Sequence, residues 1–222
     1  MMRRQQEFRV VGAPHPALVV GAPLVEACSV ASLQLGGPSL VSLGITSAIR
    51  GEGRSSIATA MAAVQQRDYR RHVLLLEMDF DRPSLATRLQ TEMTPGLADV
   101  VRGDASIDDA LQLLPDGTMM IAAGSAAGAG PRLTLNFKSS ALLAELTRRF
   151  EVVIADLPPL LECSFGVLAA ALFERTLLVV RAGATPISVV QEATARLTPE
   201  PAVLLNGASS RLPAWLRRLT QA

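Results

Sequence analysis

Cysteine and aromatic residues are rare in this chain, which has two cysteines and 4% aromatic residues among 222. Cys28 and Cys163 are far apart and lack the spacing of metal ligands, so we expect two buried free thiols in a reducing cytosol. The longest apolar runs, such as FGVLAAALF at 165–173, reach about half of the roughly 20 residues that a membrane span needs. We therefore expect a cytoplasmic protein.

The N-terminal segment 1–23 is rich in proline and has no hydrophobic period. It carries arginines, as a signal peptide does, but Glu7, Arg9 and three prolines interrupt any apolar segment. We interpret it as a loose arm and do not expect secretion. The net charge of +1 gives no general attraction to nucleic acid, so no specific nucleic-acid partner is expected.

Between residues 24 and 210, apolar runs of strand length alternate with helical patterns. This alternation predicts one α/β domain with a doubly wound, mostly parallel sheet and helices on both faces. Strands are expected within 40–48, 72–79, 118–124, 151–159, 176–183 and 202–207. Helices are expected at 24–34, 55–68, 83–90, 96–102, 106–114, 138–150 and 186–197, and the small-residue stretch 122–131 is expected to be a mobile loop.

The segment ITSAIRGEGRSS at 45–56 has the order of a phosphate-binding loop: an apolar strand, a glycine turn, then the start of a helix. Gly51 and Gly53 can adopt unusual dihedrals and let phosphate approach the backbone. Ser55 stands where the Mg²⁺-binding hydroxyl of such loops belongs, but Arg54 stands in the lysine position. Taken alone, the segment fits equally well an ordinary glycine turn before a helix.

Acidic residues follow two further predicted strands. Glu77, Asp79 and Asp81 lie in LLLEMDFDRP, and Asp156 lies in VVIADLPP. Acids at these positions can hold Mg²⁺ through water, although each group also fits a solvated turn. Together with the glycine turn, and in this order, they predict a nucleotide-binding fold.

At these motifs the chain resembles the bacterial tyrosine kinases of capsule and exopolysaccharide synthesis, which are relatives of the MinD and ParA ATPases. The family patterns T-S-A-x-P-G-E-G-K-S-[ST], D-x-D-x-R-R-P and I-I-D-x-P-P correspond here to TSAIRGEGRSS, EMDFDRP and VIADLPP. The resemblance covers roughly residues 24–207. It implies ATP or ADP with Mg²⁺ as cofactors and a membrane polysaccharide copolymerase or chain-length protein as partner.

The resemblance also implies a set of site residues. Nucleotide contacts are expected from Gly51, Glu52, Gly53, Arg54, Ser55, Ser56 and Asn206, the last facing the adenine. Mg²⁺ contacts are expected from Ser55, Asp79 and Asp156, and catalytic roles from Arg54, Glu77, Asp79 and Asp156.

The departures from the family pattern fall in its working parts. Arginine replaces lysine at 54 and proline at 50, Glu77 replaces an aspartate, Asp81 an arginine, and Phe165 an aspartate. Ser29 and Ser32 replace both arginines of a subunit-contact motif, and Tyr69 is the only tyrosine. These changes predict weak or absent phosphoryl transfer, no tyrosine autophosphorylation and no ring assembly of the family type.

Two alternatives remain open at this stage. Arg54 could substitute for lysine in a working ATPase or tyrosine kinase. The tail 211–222 could instead make the chain a MinD-like switch on the membrane surface, since Leu212, Trp215, Leu216 and Leu219 recur at helical spacing beside arginines. A terminal helix docked on the domain, or a frayed tail, fits the same residues.

Overall fold

The computed structural model describes residues 22–126 and 128–207. The strands are β1 (Ser42–Ser47), β2 (Val73–Glu77), β3 (Gln112–Leu113), β4 (Met119–Ile121), β5 (Val152–Asp156), β6 (Arg175–Arg181) and β7 (Ala202–Asn206). The helices are α1 (Ala22–Gln34), α2 (Arg54–Tyr69), α3 (Leu85–Leu89), α4 (Leu97–Arg102), α5 (Ile107–Ala110), α6 (Gly130–Ser139), α7 (Leu142–Arg149), α8 (Gly166–Ala170) and α9 (Ile187–Ala195). Most of the predicted N-terminal arm and the whole tail 211–222 lie outside the described residues.

The seven strands form one sheet in the order β3-β4-β2-β5-β1-β6-β7. All neighbouring pairs in this sheet are parallel except β3 and β4, which pair in antiparallel fashion. The predicted doubly wound, mostly parallel fold is thereby confirmed.

The central strands are apolar throughout because both faces of the sheet are covered. Every residue of β1, β2 and β5 is buried. One face packs against a core that includes Ile57, Met61 and Val64 of α2. The opposite face packs against a second core that includes Phe137 of α6 and Leu146 of α7. Because both faces of these strands are buried, their sequences are continuous hydrophobic runs.

The register of the sheet brings the carboxyl ends of its strands to one edge. Asp156 pairs with Ile45 of β1 on one side and with Glu77 of β2 on the other. On the far side of β1, Arg181 pairs with Asn206. In open parallel sheets ligands bind beyond this edge, so the predicted site residues at strand ends are neighbours in space.

The structure departs from the predicted elements in the second half of the chain. The helix predicted over 106–114 ends at Ala110, and Gln112–Leu113 form β3. The helix predicted over 138–150 begins later, as α7, and its first two residues are instead the end of α6. The break lies at Ser140, whose hydroxyl donates to the carbonyl of Phe137 and so competes with helical hydrogen bonding. Helix α6 begins inside the segment expected to be a loop, and α8 was not predicted.

The predicted thiol state is confirmed, because Cys28 and Cys163 are both free and buried. None of the helices in the described ranges has the length and hydropathy that crossing a bilayer requires.

Candidate functional site

The loop between β1 and α2 has the backbone shape that its glycines predict. Gly51 and Gly53 have φ values of 80° and 98°, in the left-handed region that favours glycine. A Cβ at Gly53 would lie 2.2 Å from the Nδ2 atom of Asn206, whereas a Cβ at Gly51 would meet nothing within 4 Å. Helix α2 begins at Arg54, so the loop presents the positive end of a 16-residue helix.

The Glu52 side chain points into the protein and holds the loop in place through hydrogen bonds. Its Oε2 accepts from the backbone amide of Ile49 at 3.0 Å. Its Oε1 accepts from the amide of Arg181 at 3.1 Å and from the hydroxyl of Thr185 at 2.5 Å. Glu52 is only 1% exposed, so this carboxylate shapes the loop and leaves ligand contacts to the backbone.

Asn206 holds the same loop from the last strand. Its side-chain amide donates to the carbonyl of Glu52 at 2.8 Å. Asn206, which the resemblance predicts to face the adenine, therefore joins the end of β7 to the loop before α2.

Two arginines of the loop share one oxygen of Asp79. Arg50 donates to Asp79 Oδ2 at 3.0 Å, and Arg54 donates to the same oxygen at 3.2 Å. The other oxygen, Oδ1, accepts from the amide of Arg82 at 3.1 Å. Arg54 also donates to the carbonyl of Leu157. Asp79 is 4% exposed, so its charge is balanced by guanidinium groups and not by water.

Asp156 ends β5 beside this cluster. Burial raises the pKa of its carboxyl from 3.8 to about 6, and the Arg54 guanidinium and Ser55 hydroxyl act against that rise. Its Oδ1 atom is buried and has no hydrogen-bond partner among the residues that the structure describes. An unpartnered buried acceptor is costly, and such groups concentrate at functional sites.

Glu77 uses both carboxylate oxygens on backbone amides. Oε1 accepts from Ser84 and Leu85, each at 2.6 Å, and Oε2 accepts from Ala123 at 3.1 Å. Burial raises the pKa of Glu77, and these amide hydrogen bonds oppose the rise. The side chain that replaces the family's aspartate therefore holds the start of α3 and the end of β4 in place.

The three predicted Mg²⁺ ligands, Ser55, Asp79 and Asp156, differ in the contacts that they already make. In the described part of the chain, no group of three or more His, Cys, Asp or Glu residues is placed to hold a metal ion. Asp79 is paired with two guanidiniums, so Asp156 and Ser55 are the remaining predicted ligands. The buried Oδ1 atom of Asp156 has no hydrogen-bond partner among the described residues, so Asp156 and Ser55 are the residues that would hold Mg²⁺ together with phosphate oxygens.

Sequence reasoning missed three members of this site. Arg50 was noted only as a departure from the family pattern, yet it contacts Asp79. Glu162 accepts from the Arg50 amide at 2.7 Å, and Thr185 binds Glu52. No local motif marks Glu162 or Thr185, because each meets the loop only through the fold.

The serines that replace the family's subunit-contact arginines are used within the chain. Ser29 donates to Asp68 Oδ2 at 2.8 Å, and Ser32 accepts from the Gln65 side chain at 2.7 Å. These contacts join α1 to α2. The prediction that ring assembly is absent remains a prediction.

Comparison with known proteins finds sequences named as bacterial tyrosine-protein kinases. No protein-family model matches the chain. The tyrosine-protein kinase YwqD of Bacillus subtilis is 29% identical over 145 residues, which cover 65% of this chain and 61% of YwqD. The putative tyrosine-protein kinase EpsB of Ralstonia nicotianae is 28% identical over 168 residues, covering 75% of this chain and 22% of EpsB. The matched region thus spans less than two thirds of either relative.

Solved structures agree with the sequence matches. The VpsO kinase domain superposes with a TM-score of 0.76 at 25% identity, covering 84% of this chain and 95% of that domain. The chain is similar in sequence and fold to bacterial tyrosine kinases. The kinase domain of Escherichia coli ETK shares the fold at a TM-score of 0.80, covering 95% of this chain and 86% of its own, with 23% identity. The cell division ATPase MinD of Pyrococcus furiosus shares it at a TM-score of 0.61 and 21% identity, covering 81% of this chain and 78% of its own.

Proposed function

We propose that the chain is a kinase-like nucleotide-binding protein of bacterial exopolysaccharide or capsule synthesis, with weak or absent phosphoryl transfer. The observation that carries the proposal is the loop at 48–56, where two left-handed glycines precede α2 and two guanidiniums stand beside them. Backbone amides and a helix N-terminus bind phosphate without help from a lysine. ATP or ADP is therefore the expected ligand.

Weak transfer follows from how Arg54 is held. Its guanidinium donates both to Asp79 and to the carbonyl of Leu157. A guanidinium held in this way can bind phosphate. It adjusts less well than a mobile lysine ammonium to the negative charge that develops on the phosphoryl group during transfer. Lys138 is the only lysine among 21 lysines and arginines, so arginine at position 54 agrees with the chain's general composition and does not by itself indicate lost binding.

Tyrosine autophosphorylation lacks a target in the chain. Tyr69 is the only tyrosine, and it is partly buried in the last turn of α2. Its hydroxyl lies against Gly37, 3.4 Å from where a Cβ on that glycine would stand. After incubation with Mg·ATP, an anti-phosphotyrosine immunoblot should be blank. A band that disappears in Tyr69→Phe would overturn this part of the proposal.

The proposed partner is a membrane polysaccharide copolymerase or chain-length protein. The support is the resemblance to capsule and exopolysaccharide kinases, together with relatives named as tyrosine-protein kinases. The nucleotide-bound and nucleotide-free states of the chain would differ in their affinity for this partner, so nucleotide binding would regulate the contact. Inactivating the gene should change the amount or length of the polymer, and an unchanged polymer profile would count against the assignment.

Binding of a fluorescent ADP analogue tests the nucleotide assignment itself. The wild-type chain should bind it in the micromolar range, and Arg54→Ala should bind about tenfold more weakly through loss of a charge-assisted contact. Arg196→Ala is the matched control, because Arg196 follows the last residue of α9 and pairs with the exposed Glu192. Equal loss of affinity in both variants would place the analogue elsewhere.

A working ATPase is the second candidate, and Asp156 is the observation that favours it. The buried Oδ1 of Asp156 has no partner among the described residues and lies in the same cluster as Arg54 and Ser55. Such an oxygen could orient an attacking water. Steady ATP turnover that is abolished in Asp156→Asn would support this candidate, and turnover equal to a buffer blank would exclude it.

A further inference from the structure

An apolar groove with a volume of about 230 Å³ lies between α1 and the outer edge of the sheet. Its floor is formed by Leu177 of β6 and Leu204 of β7. Leu177 is buried in the core to which α2 also contributes, and Leu204 packs against that core. Because β7 is the outermost strand, none of the strands in the described residues closes the groove on that side. Apolar surface of this sheet face is therefore left open to solvent.

One stripe of α1 forms the wall of the groove. Four residues of this helix line it at the spacing i, i+3, i+4 and i+7, which places them on one helix face: Ala27, Val30, Ala31 and Gln34. Val30 is 55% exposed. Because a mostly apolar helix stripe normally packs against another element, this face of α1 can accept a second helix.

The tail 211–222 carries an apolar stripe with the same spacing. Leu212, Trp215, Leu216 and Leu219 follow one another at i, i+3, i+4 and i+7, so each stripe would span about 10 Å along a helix. The tail therefore matches the wall of the groove in both the period and the length of its apolar face.

The end of β7 places the tail within reach of the groove. Leu204 lies two residues before Asn206, the last residue of this strand. Gly207 then has a φ of 72°, a conformation that turns the chain. The four steps of the chain from Gly207 to Arg211 can span up to about 14 Å. This length is sufficient for the tail to return along the groove.

The charges around the groove favour a basic occupant over an acidic one. Glu26 is exposed and is the only charged residue of α1, one turn before Val30. Arg67 and Asp68 of α2, which also contact α1, pair with each other. Residues 208–222 contain three arginines and no acid, so the wall of the groove attracts the tail and does not repel it.

We infer that the tail 211–222 occupies the groove between α1 and β7 of its own chain, with its apolar stripe against Val30 and Leu204. The same stripe is then unavailable to a lipid surface, so docking of the tail and membrane binding exclude each other. Docking of the tail does not depend on nucleotide binding at the phosphate loop, and the two are tested separately.

Trp215 is the only tryptophan of the chain, so tryptophan fluorescence reports on the tail alone. In the native wild type its emission should be blue-shifted relative to the urea-unfolded chain. Acrylamide should quench it at least about twofold less strongly, because the docked indole is buried. Val30→Asp places a charge in the wall of the groove, and Leu216→Asp places one in the tail. Both variants should return the emission and the quenching close to the unfolded values.

Leu135→Asp is the matched control, because Leu135 is 52% exposed on α6, and its fluorescence should equal that of the wild type. Circular dichroism should show that every variant is folded. A native wild type with the emission of the unfolded chain would overturn the inference and leave the groove to residues 1–21 or to another protein. If its emission then shifts to the blue on addition of vesicles containing anionic phospholipid, the tail binds lipid instead.

Two further outcomes would also contradict docking within one chain. Trp215 that stays protected in Val30→Asp would show that the tail is buried away from the groove. Protection that is lost when the protein is diluted to the monomer would show that the tail enters the groove of a second copy.

Discussion

The side chain of Asn206 and the backbone of Glu52 are joined by a hydrogen bond of 2.8 Å, which ties the last strand of the sheet to the phosphate loop. The loop lies 154 positions earlier in the chain, so its shape depends on the complete sheet. A damaged β7 is therefore expected to alter the loop even though it contributes no loop residue.

Asn206→Ala should lower the free energy of unfolding by about 1 kcal/mol, the usual loss for one hydrogen bond to a backbone carbonyl. Urea denaturation measures the change. Asn136→Ala is the matched control, because Asn136 lies exposed on α6, and its stability should stay within about 0.5 kcal/mol of wild type. Equal losses in the two variants would mean that the contact with Glu52 is not what stabilises the chain.

Alanine at Gly53 and at Gly51 separates steric conflict from backbone strain. Both glycines have positive φ, so either substitution should cost about 1 kcal/mol in strain. Only at Gly53 would the new Cβ also lie 2.2 Å from Asn206 Nδ2. We expect Gly53→Ala to lose clearly more stability than Gly51→Ala in urea denaturation. Indistinguishable denaturation midpoints would contradict the observed contact between the loop and β7.

Asp156 gives the chain a pH dependence of known sign. Its pKa is raised from 3.8 to about 6 in the folded state, so folding favours the protonated carboxyl. This contribution to stability is fully present below the unfolded pKa and is lost as the pH rises through about 6. Asp156→Asn carries a permanently neutral group. Between about pH 4 and pH 6 the stability of wild type should therefore fall relative to the variant.

Urea denaturation of both proteins at several pH values measures this difference. A wild type that gains stability over Asp156→Asn across that range would show that Asp156 is stabilised in its charged form. In that case Arg54 and Ser55 would outweigh burial at this carboxyl.

Both thiols are expected to be chemically inert in the folded chain. Burial raises the pKa of Cys28 and of Cys163 to about 11, so at pH 8 almost no reactive thiolate is present. A thiol reagent at pH 8 should label neither cysteine until urea unfolds the protein, and then both together. Rapid labelling of one cysteine in native buffer would show that its pocket opens without global unfolding.

The sequence was sufficient to predict the sheet because its central strands are long apolar runs that only a doubly covered sheet requires. It was insufficient for α6. The small residues before this helix resemble a loop. The first residue of the helix is Gly130, and glycine is required there because a Cβ would lie 2.5 Å from the ring of Phe165. That requirement comes from a side chain 35 positions away and leaves no local signal.

The candidate site, too, was predicted from the sequence only in part. Motif order predicted that Arg54, Asp79 and Asp156 would lie beyond the carboxyl ends of neighbouring strands. Asp156 ends β5, Asp79 follows β2, and Arg54 begins the helix after β1. The sharing of one Asp79 oxygen by Arg50 and Arg54 depends on how two long side chains pack in three dimensions. The use of Glu77 as an acceptor for three backbone amides likewise depends on the loops after β2 and β4, which no motif specifies.

Calorimetric titration of the purified chain with ADP and Mg²⁺ tests the central claim, nucleotide binding at the loop 48–56, most directly. We predict a single site with a micromolar dissociation constant that weakens in Arg54→Ala. The absence of heat up to millimolar ADP would contradict the claim, and the loop would then be a glycine turn in a chain that shares only its fold with the kinases.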